Sequence, residues 1–489
     1  MAQPETPAAR IEGLLSTGAF IQALRASDAM IAVSRRSRIG WIGRARANLS
    51  LGRVCDADED IDSALRLDPA DPQANLLRGM VDQRLGRIDA AVERLSKLAA
   101  STSPYNIEAA VTLAETFYFA HRRDAFRQFV QAGGGWLRDP RAPLFAARVR
   151  AREDQPGAIT DLLKIAATTT SVVLKRVAGF EAVQLLDKVG RYPEAFDLAL
   201  QMHRETTPPF DLEGMLGPIN EQREIIRRGG KWITPRVDPV QGVALVVGLP
   251  RCGTTLLEQM LDSHPMIGGI GEYDGVEILA DGIASTGRTL RDISQFPRDA
   301  AAELQRGYLR GALRLKRAGA AWSFDKTLRA WRHLPALASV LPGAVCFHVA
   351  RDPRDMAIST LLSFFHPVAD GWTASLESLR RVTEAERSIL PEALATFAFS
   401  HEQLVYENLV ADPASHAGRC LKRLGLEMHN SVLQPEQNPR AVFTLSHEQV
   451  RNPIHGASIG RWQNYSSAFD GSWDQLAAAH GARRLNSTN

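Results

Sequence analysis

Small and apolar residues recur along the first half of the chain with a fixed step. The segments TGAFIQA (17–23), LGRVCDA (51–57), LGRIDAA (85–91) and FAHRRDA (119–125) begin 34 residues apart. Each has a small residue second (Gly18, Gly52, Gly86, Ala120) and an alanine seventh (Ala23, Ala57, Ala91, Ala125). A step of that length suits a helix, a turn and a second helix, repeated and stacked. The small residues are expected to let the helices approach closely, and the alanines to recur at one buried crossing. The phase drifts near Ala158 and resumes at Ala195 in KVGRYPEA, so the pattern predicts five or six helix pairs over residues 8–230.

The pattern changes after RRGGKWITPRVDP (227–239). VALVV (243–247) is a short apolar run bounded by glycines, which suits a strand buried on both faces of a parallel sheet. The loop GLPRCGTT follows, and then Leu256, Leu257, Met260 and Leu261 fall on one face of a helix. AVCFHVARDPRDMAISTLLSFF again reads as strand (345–349), turn and helix, with Arg351 at the strand end. The expected fold is therefore a multidomain α plus α/β chain: an all-α superhelix, then an α/β domain with a parallel sheet.

Composition alters this picture little. A chain of 489 residues, 45% hydrophobic and 23% charged, is ordinary for globular protein of roughly three domain-sized units. A net charge of +3 gives no reason to expect nucleic acid as a partner. Cys55, Cys252, Cys346 and Cys420 form no C-x-x-C pair, so neither a disulfide framework nor a zinc site is expected. MAQPETPAAR has no basic segment followed by an apolar run, and no stretch approaches the ~20 apolar residues of a membrane span. The expectation is a cytoplasmic protein without a transmembrane segment.

The loop VVGLPRCGTT (246–255) has the glycine spacing of a phosphate-binding loop, but Thr254 stands where the lysine of that pattern would reach the β- and γ-phosphates. The nearby cation, Arg251, lies inside the loop. Strand, glycine loop and helix together still make an anion site, from free backbone N–H groups and the helix dipole.

The repeat pattern resembles the tetratricopeptide family, with Trp41, Ala45, Ala57, Ala64 and Pro69 on its positions. The second half, about 240–470, resembles sulfotransferases that use 3'-phosphoadenosine 5'-phosphosulfate (PAPS), related to tyrosylprotein sulfotransferases, with a domain expected at 240–475. In that family a PRSGTT or PKSGTT loop holds the 5'-phosphosulfate. An arginine and a serine eight residues apart hold the 3'-phosphate. Here the matching residues are Arg251, Cys252, Gly253, Thr254 and Thr255 in the loop, and Arg351 with Ser359. The resemblance further implies Glu272, in GGIGEYDG, as catalytic base and Lys326, in AWSFDKTL, as the group that offsets charge on the leaving phosphate. It implies that Tyr406, in VYENLVADP, contacts the 3'-phosphate or adenine side, and that Ser458 and Arg461, in the segment 450–465, close over the cofactor.

Plainer readings stand beside these: Glu272 as a solvated loop carboxylate or helix cap, Lys326 as a surface lysine beside Asp325, and Tyr406 as a core tyrosine. Cys252 replaces the usual serine with a poor donor. A thiol beside Arg251 and a helix N-terminus would also be open to a lowered pKa and to oxidation. His264 is a rival base, ahead of His348 and His366. The activity implied is sulfuryl transfer from PAPS to an acceptor hydroxyl by in-line displacement, with no metal. A protein or peptide tyrosine presented by the repeat groove is the first acceptor, with carbohydrate, lipid or small-molecule hydroxyls as others, and a homodimer is an open expectation. The alternatives are a catalytically silent scaffold that binds proteins through the repeats, and a P-loop kinase.

Overall fold

A computed structural model describes residues 6–227, 235–287, 295–438, 440 and 452–486. They pack as two compact units, one comprising residues up to Asp161 with Arg440, the other the remainder from Leu162 onward.

The first unit is built of helix hairpins: α1 (Pro7–Ser16) with α2 (Phe20–Val33), α3 (Arg38–Ser50) with α4 (Val54–Leu67), α5 (Pro72–Arg84) with α6 (Ile88–Ala99), and α7 (Asn106–Phe119) with α8 (Arg123–Ala132). Helix α9 (Ala142–Arg150) and the start of α10 (Gln155–Thr168) complete it. The first helix of each of the leading three pairs begins at a side-chain cap: Thr6 accepts from the Ala9 N–H, Ser37 from Gly40 and Asp71 from Ala74. Ala23, Ala57 and Ala91 are fully buried at the hairpin crossings. In the fourth pair the crossing passes from Ala125, which is only partly buried, to Phe126, one residue later than the period. The left-handed turn residue moves by the same step, from Ala120 (φ −81°) to His121 (φ 56°).

The turn glycines serve a different purpose from the one expected. Gly18, Gly52 and Gly86 have φ of 76°, 82° and 74°, and a Cβ on any of them would meet no atom within 4 Å. They terminate helices in the left-handed conformation, with the Arg53 N–H returning to the Asn48 carbonyl and the Arg87 N–H to that of Asp82. Close approach occurs instead inside α3 and α5, where a Cβ on Gly43 would lie 2.7 Å from Ile11 and one on Gly79 2.6 Å from Leu95.

The second unit carries a five-stranded sheet: β1 (Val243–Val247), β2 (Ile267–Gly271), β3 (Trp322–Asp325), β4 (Val345–Ala350) and β5 (Ser400–Val405), in the order β2-β3-β1-β4-β5. Every pairing is parallel. β1 and β4 are buried along their whole length, which is why β1 reads as an unbroken apolar run and β4 as one interrupted only by His348. The sheet is accompanied by α11 (Val172–Lys188), α12 (Tyr192–Thr206), α13 (Leu212–Arg227), α14 (Thr254–Asp262), α15 (Gly275–Ala284), α16 (Arg298–Leu315), α17 (Leu334–Val340), α18 (Pro353–Leu361), α19 (Leu376–Thr396), α20 (Tyr406–Ala411), α21 (Pro413–Arg423) and α22 (Gly471–Asn486).

The α11–α12 hairpin has the repeat's pattern, with Gly190 at φ 82° and Ala195 fully buried, yet it packs within the sheet-bearing unit. Its side chains reach the end of α18: Gln184 Nε2 donates to the Leu362 carbonyl (2.5 Å), His203 Nε2 meets that of Leu361 (2.9 Å), and Arg176 donates to that of Phe365 (3.1 Å). Carbonyls at and just beyond a helix end lack intrahelical donors, and the hairpin supplies them. Among the described residues no helix is long and apolar enough to cross a membrane.

Candidate active site

Because the strands are all parallel, their carboxyl ends share one edge, where crevices of open α/β sheets form. The residues singled out in the sequence lie there. The glycine loop follows β1, and Glu272, Lys326, Arg351 and Tyr406 are each the first residue beyond β2, β3, β4 and β5.

The loop is tightly constrained. Gly248 has φ 142°, Arg251 φ 63° and Gly253 φ 94°. A side chain at φ > 0 is uncommon, and Arg251 is held there from two sides. Its Nε donates to Ser359 Oγ (2.8 Å), and its carbonyl accepts from Arg351 Nη1 (2.8 Å). Gly253 caps the start of α14, and a Cβ on it would lie 2.3 Å from Tyr406 Cδ2. The Arg351 guanidinium in turn sits 4.8 Å over the Tyr406 ring, and its Nη2 donates to the Ser458 carbonyl.

These contacts enclose one cavity, lined by Arg251, Gly253, Thr254, Thr255, Arg351, Ser359, Tyr406, Ser458 and Arg461. Three guanidiniums and the N-terminus of α14 face it. Burial pulls Arg251 down to about 10, with the charges of Arg351 and Arg461 acting in the same direction. An anion in the cavity would relieve both penalties. Arg351 is 6% exposed, and its Nε is buried without a hydrogen-bond partner among the described residues. A buried donor left open is what a site for a ligand oxygen presents.

Cys252 is not among the lining residues. Burial, and next the Glu386 carboxylate, push its thiol up to about 12, outweighing the Arg351 and Arg387 charges that act the other way; the direction is opposite to the expected lowering.

Glu272 and Lys326 lie apart from that cavity and are joined to each other. Lys326 is fully buried and its Nζ donates to Glu272 Oε1 (2.6 Å), while the glutamate side chain is 54% exposed. Lys326 is thus no surface lysine. Its neighbour Asp325 is occupied separately, accepting from the Tyr308 hydroxyl (2.8 Å) and from Thr327 Oγ1 (2.6 Å), and burial raises it to about 7. The histidines are engaged elsewhere. His264 Nε2 meets the Glu427 carbonyl (3.1 Å) and its Nδ1 accepts from the Met266 N–H (3.1 Å). His348 pairs with buried Glu386 (2.8 Å), and His366 Nδ1 accepts from the Ala369 N–H (3.1 Å).

Sequence reasoning did not single out Gln184 and Asp187 of α11 or Asp355 of α18, which also line the cavity. Asp355 accepts from the N–H groups of Gly460 (2.7 Å) and Trp462 (2.9 Å). Its place one helical turn after Arg351 was a usable signal. Asp187 binds Arg461 and the Tyr465 hydroxyl (2.7 Å) across more than half the chain, a separation that leaves no local pattern. Among the described residues no group of acidic, histidine or cysteine side chains is arranged to hold a metal.

Residues 244–430 match the model of the Sulfotransferase family. An uncharacterized protein of Aquifex aeolicus (strain VF5) is 25% identical over 313 residues, a match spanning 59% of this chain and 39% of that protein's length. Among solved structures, similarity extends to the sulfotransferase domain from the Synechococcus PCC 7002 olefin synthase, at 18% identity and a TM-score of 0.36, over 52% of this chain and 98% of that one. It extends also to the P58(IPK) TPR domain, at 14% identity and a TM-score of 0.20, over 80% of this chain and 97% of that one. The sheet-bearing segment 244–430, which follows an array of helix hairpins, is thus the part of the chain that matches the sulfotransferase family.

Proposed function

We propose that the chain transfers the sulfuryl group of PAPS to an acceptor hydroxyl. The observation that carries this reading is the Arg251–Ser359–Arg351 network, which ties the glycine loop to β4 and α18 around a cavity at the N-terminus of α14. The residues fit such a donor: an open Arg351 Nε, a glycine at the closest approach of loop and Tyr406, and three guanidiniums balanced by few carboxylates.

When bound, the donor supplies an activated sulfuryl group. On this reading Arg351 and Ser359 orient the 3'-phosphate, while Arg251, Thr254, Thr255 and the loop N–H groups hold the 5' end. Tyr406, Ser458 and Arg461 close the cavity. Lys326, buried and bonded to Glu272, is on this reading the ammonium that offsets charge on the leaving phosphate. Glu272 takes the acceptor proton; as a weak base toward a phenol of pKa ~10 it would do so while the new bond forms. The division into a repeat array at 8–230 and a transferase domain at 240–475 belongs to this proposal, as does a peptide or protein tyrosine as acceptor, delivered by the groove that stacked helix pairs create.

The test is transfer from sulfur-labelled PAPS to a panel of tyrosine peptides, oligosaccharides and small phenols. Wild type should label one class. Glu272→Gln should lower kcat by roughly 10²–10⁴ while leaving affinity for adenosine 3',5'-bisphosphate unchanged. Binding of that nucleotide without transfer to any class would favour the silent scaffold.

A further inference from the structure

The nucleotide cavity is not completed by the family-matched segment alone. Gln184 and Asp187, neighbours on one face of α11, line it together with Arg251, Arg351 and Ser359. A carboxylate facing an anion site opposes binding unless its charge is engaged. Both oxygens of Asp187 are engaged: Oδ2 accepts from Arg461 Nη2, and Oδ1 accepts from the Tyr465 hydroxyl at 2.7 Å. The Tyr465 ring packs against Tyr192 (5.5 Å between centroids) and Phe196 (6.1 Å), both on α12. From the other flank Asp355 fixes the N–H groups of Gly460 and Trp462. The segment bearing Ser458 and Arg461 is thereby pinned on two sides, and Arg461 is directed by a single carboxylate. Through Gln184, His203 and Arg176 the same hairpin also secures the end of the helix that carries Ser359.

We propose that Asp187 is a positioning residue of the donor site: by holding Arg461 at the cavity it sets the affinity for the phosphorylated nucleotide, which makes the α11–α12 hairpin a wall of that site rather than only part of an acceptor-presenting array. This rests on the donor-site reading above. Losing one directed, charge-assisted contact to a phosphate should cost roughly tenfold in affinity.

The experiment is isothermal titration of the full-length chain with adenosine 3',5'-bisphosphate, for wild type, Asp187→Asn, Asp187→Ala, Arg461→Ala and the Asp187→Ala/Arg461→Ala double variant. Unliganded melting temperatures are compared alongside, and Asp187→Asn, which keeps the shape and an acceptor, guards against a folding defect in the alanine variant. The inference expects both Asp187 variants to bind about tenfold more weakly and the double variant to bind no more weakly than Arg461→Ala, because the carboxylate acts through the arginine. Wild-type affinity in Asp187→Asn, or a double variant weakened by the product of the two single effects, overturns it. If wild type itself fails to bind the bisphosphate, the donor-site reading falls and this inference with it, an outcome distinct from the other two.

Discussion

Gly253 shows what a single position has to satisfy at this site. Its φ of 94° disfavours any side chain, and a Cβ would collide with Tyr406 at 2.3 Å. Gly253→Ala should therefore lose at least tenfold in bisphosphate affinity, measured by titration, whereas Gly86→Ala, strained by its φ of 74° but free of collisions, should cost about 1 kcal/mol of stability and leave binding unchanged. Equal effects of the two on binding would contradict the assigned role. Asp325 offers a separate check through pH. Burial raises it from 3.8 to about 7, so its contribution to stability is fully present below about 4 and is lost as pH rises through 7. Asp325→Asn does not titrate. The unfolding free energy of wild type relative to this variant should fall between pH 4 and pH 7, and a difference flat across that window would show that Asp325 is ionised throughout. Residues near the loop were legible because their signal is local: Arg251, Gly253 and Thr254 stand in one motif, and Arg351 and Ser359 are eight residues apart in one strand–turn–helix segment. The raised Cys252 thiol is not legible locally because burial and the Glu386 carboxylate, distant in sequence, outweigh the neighbouring arginines.

Among elements, the hairpin crossing and the parallel strand explain which parts of the fold the chain declares. A strand buried along its length, such as β1, is dominated by apolar residues, and the crossing at Ala57 is small, so both leave clear marks. Replacing Ala57 by leucine should destabilise the first unit by about 1–3 kcal/mol through overpacking, read as a shift in urea midpoint with donor binding retained; a neutral effect would mean the crossing is looser than its burial indicates. The fourth pair was blurred because a one-residue shift moves its crossing to Phe126 and its turn to His121. The α11–α12 hairpin was assigned to the repeats by its pattern. The sequence contains no sign that its polar side chains would instead finish α18, since backbone carbonyls carry no identity in a sequence.

For the whole molecule, the account turns on one edge of one sheet. Five parallel strands end together, and the residues that follow them supply a guanidinium-lined cavity and, apart from it at the ends of β2 and β3, the Lys326–Glu272 pair. The central claim is that this cavity holds a 3'-phosphorylated adenine nucleotide rather than a nucleoside triphosphate. The most direct measurement is a thermal-shift titration of wild type and Arg351→Ala with adenosine 3',5'-bisphosphate and, separately, with magnesium-ATP. At about a hundred times its dissociation constant the bisphosphate should add roughly 2.7 kcal/mol to the stability of the unit that binds it, in wild type and not in the variant, while magnesium-ATP does nothing. Stabilisation by magnesium-ATP, or by neither nucleotide, would contradict the account.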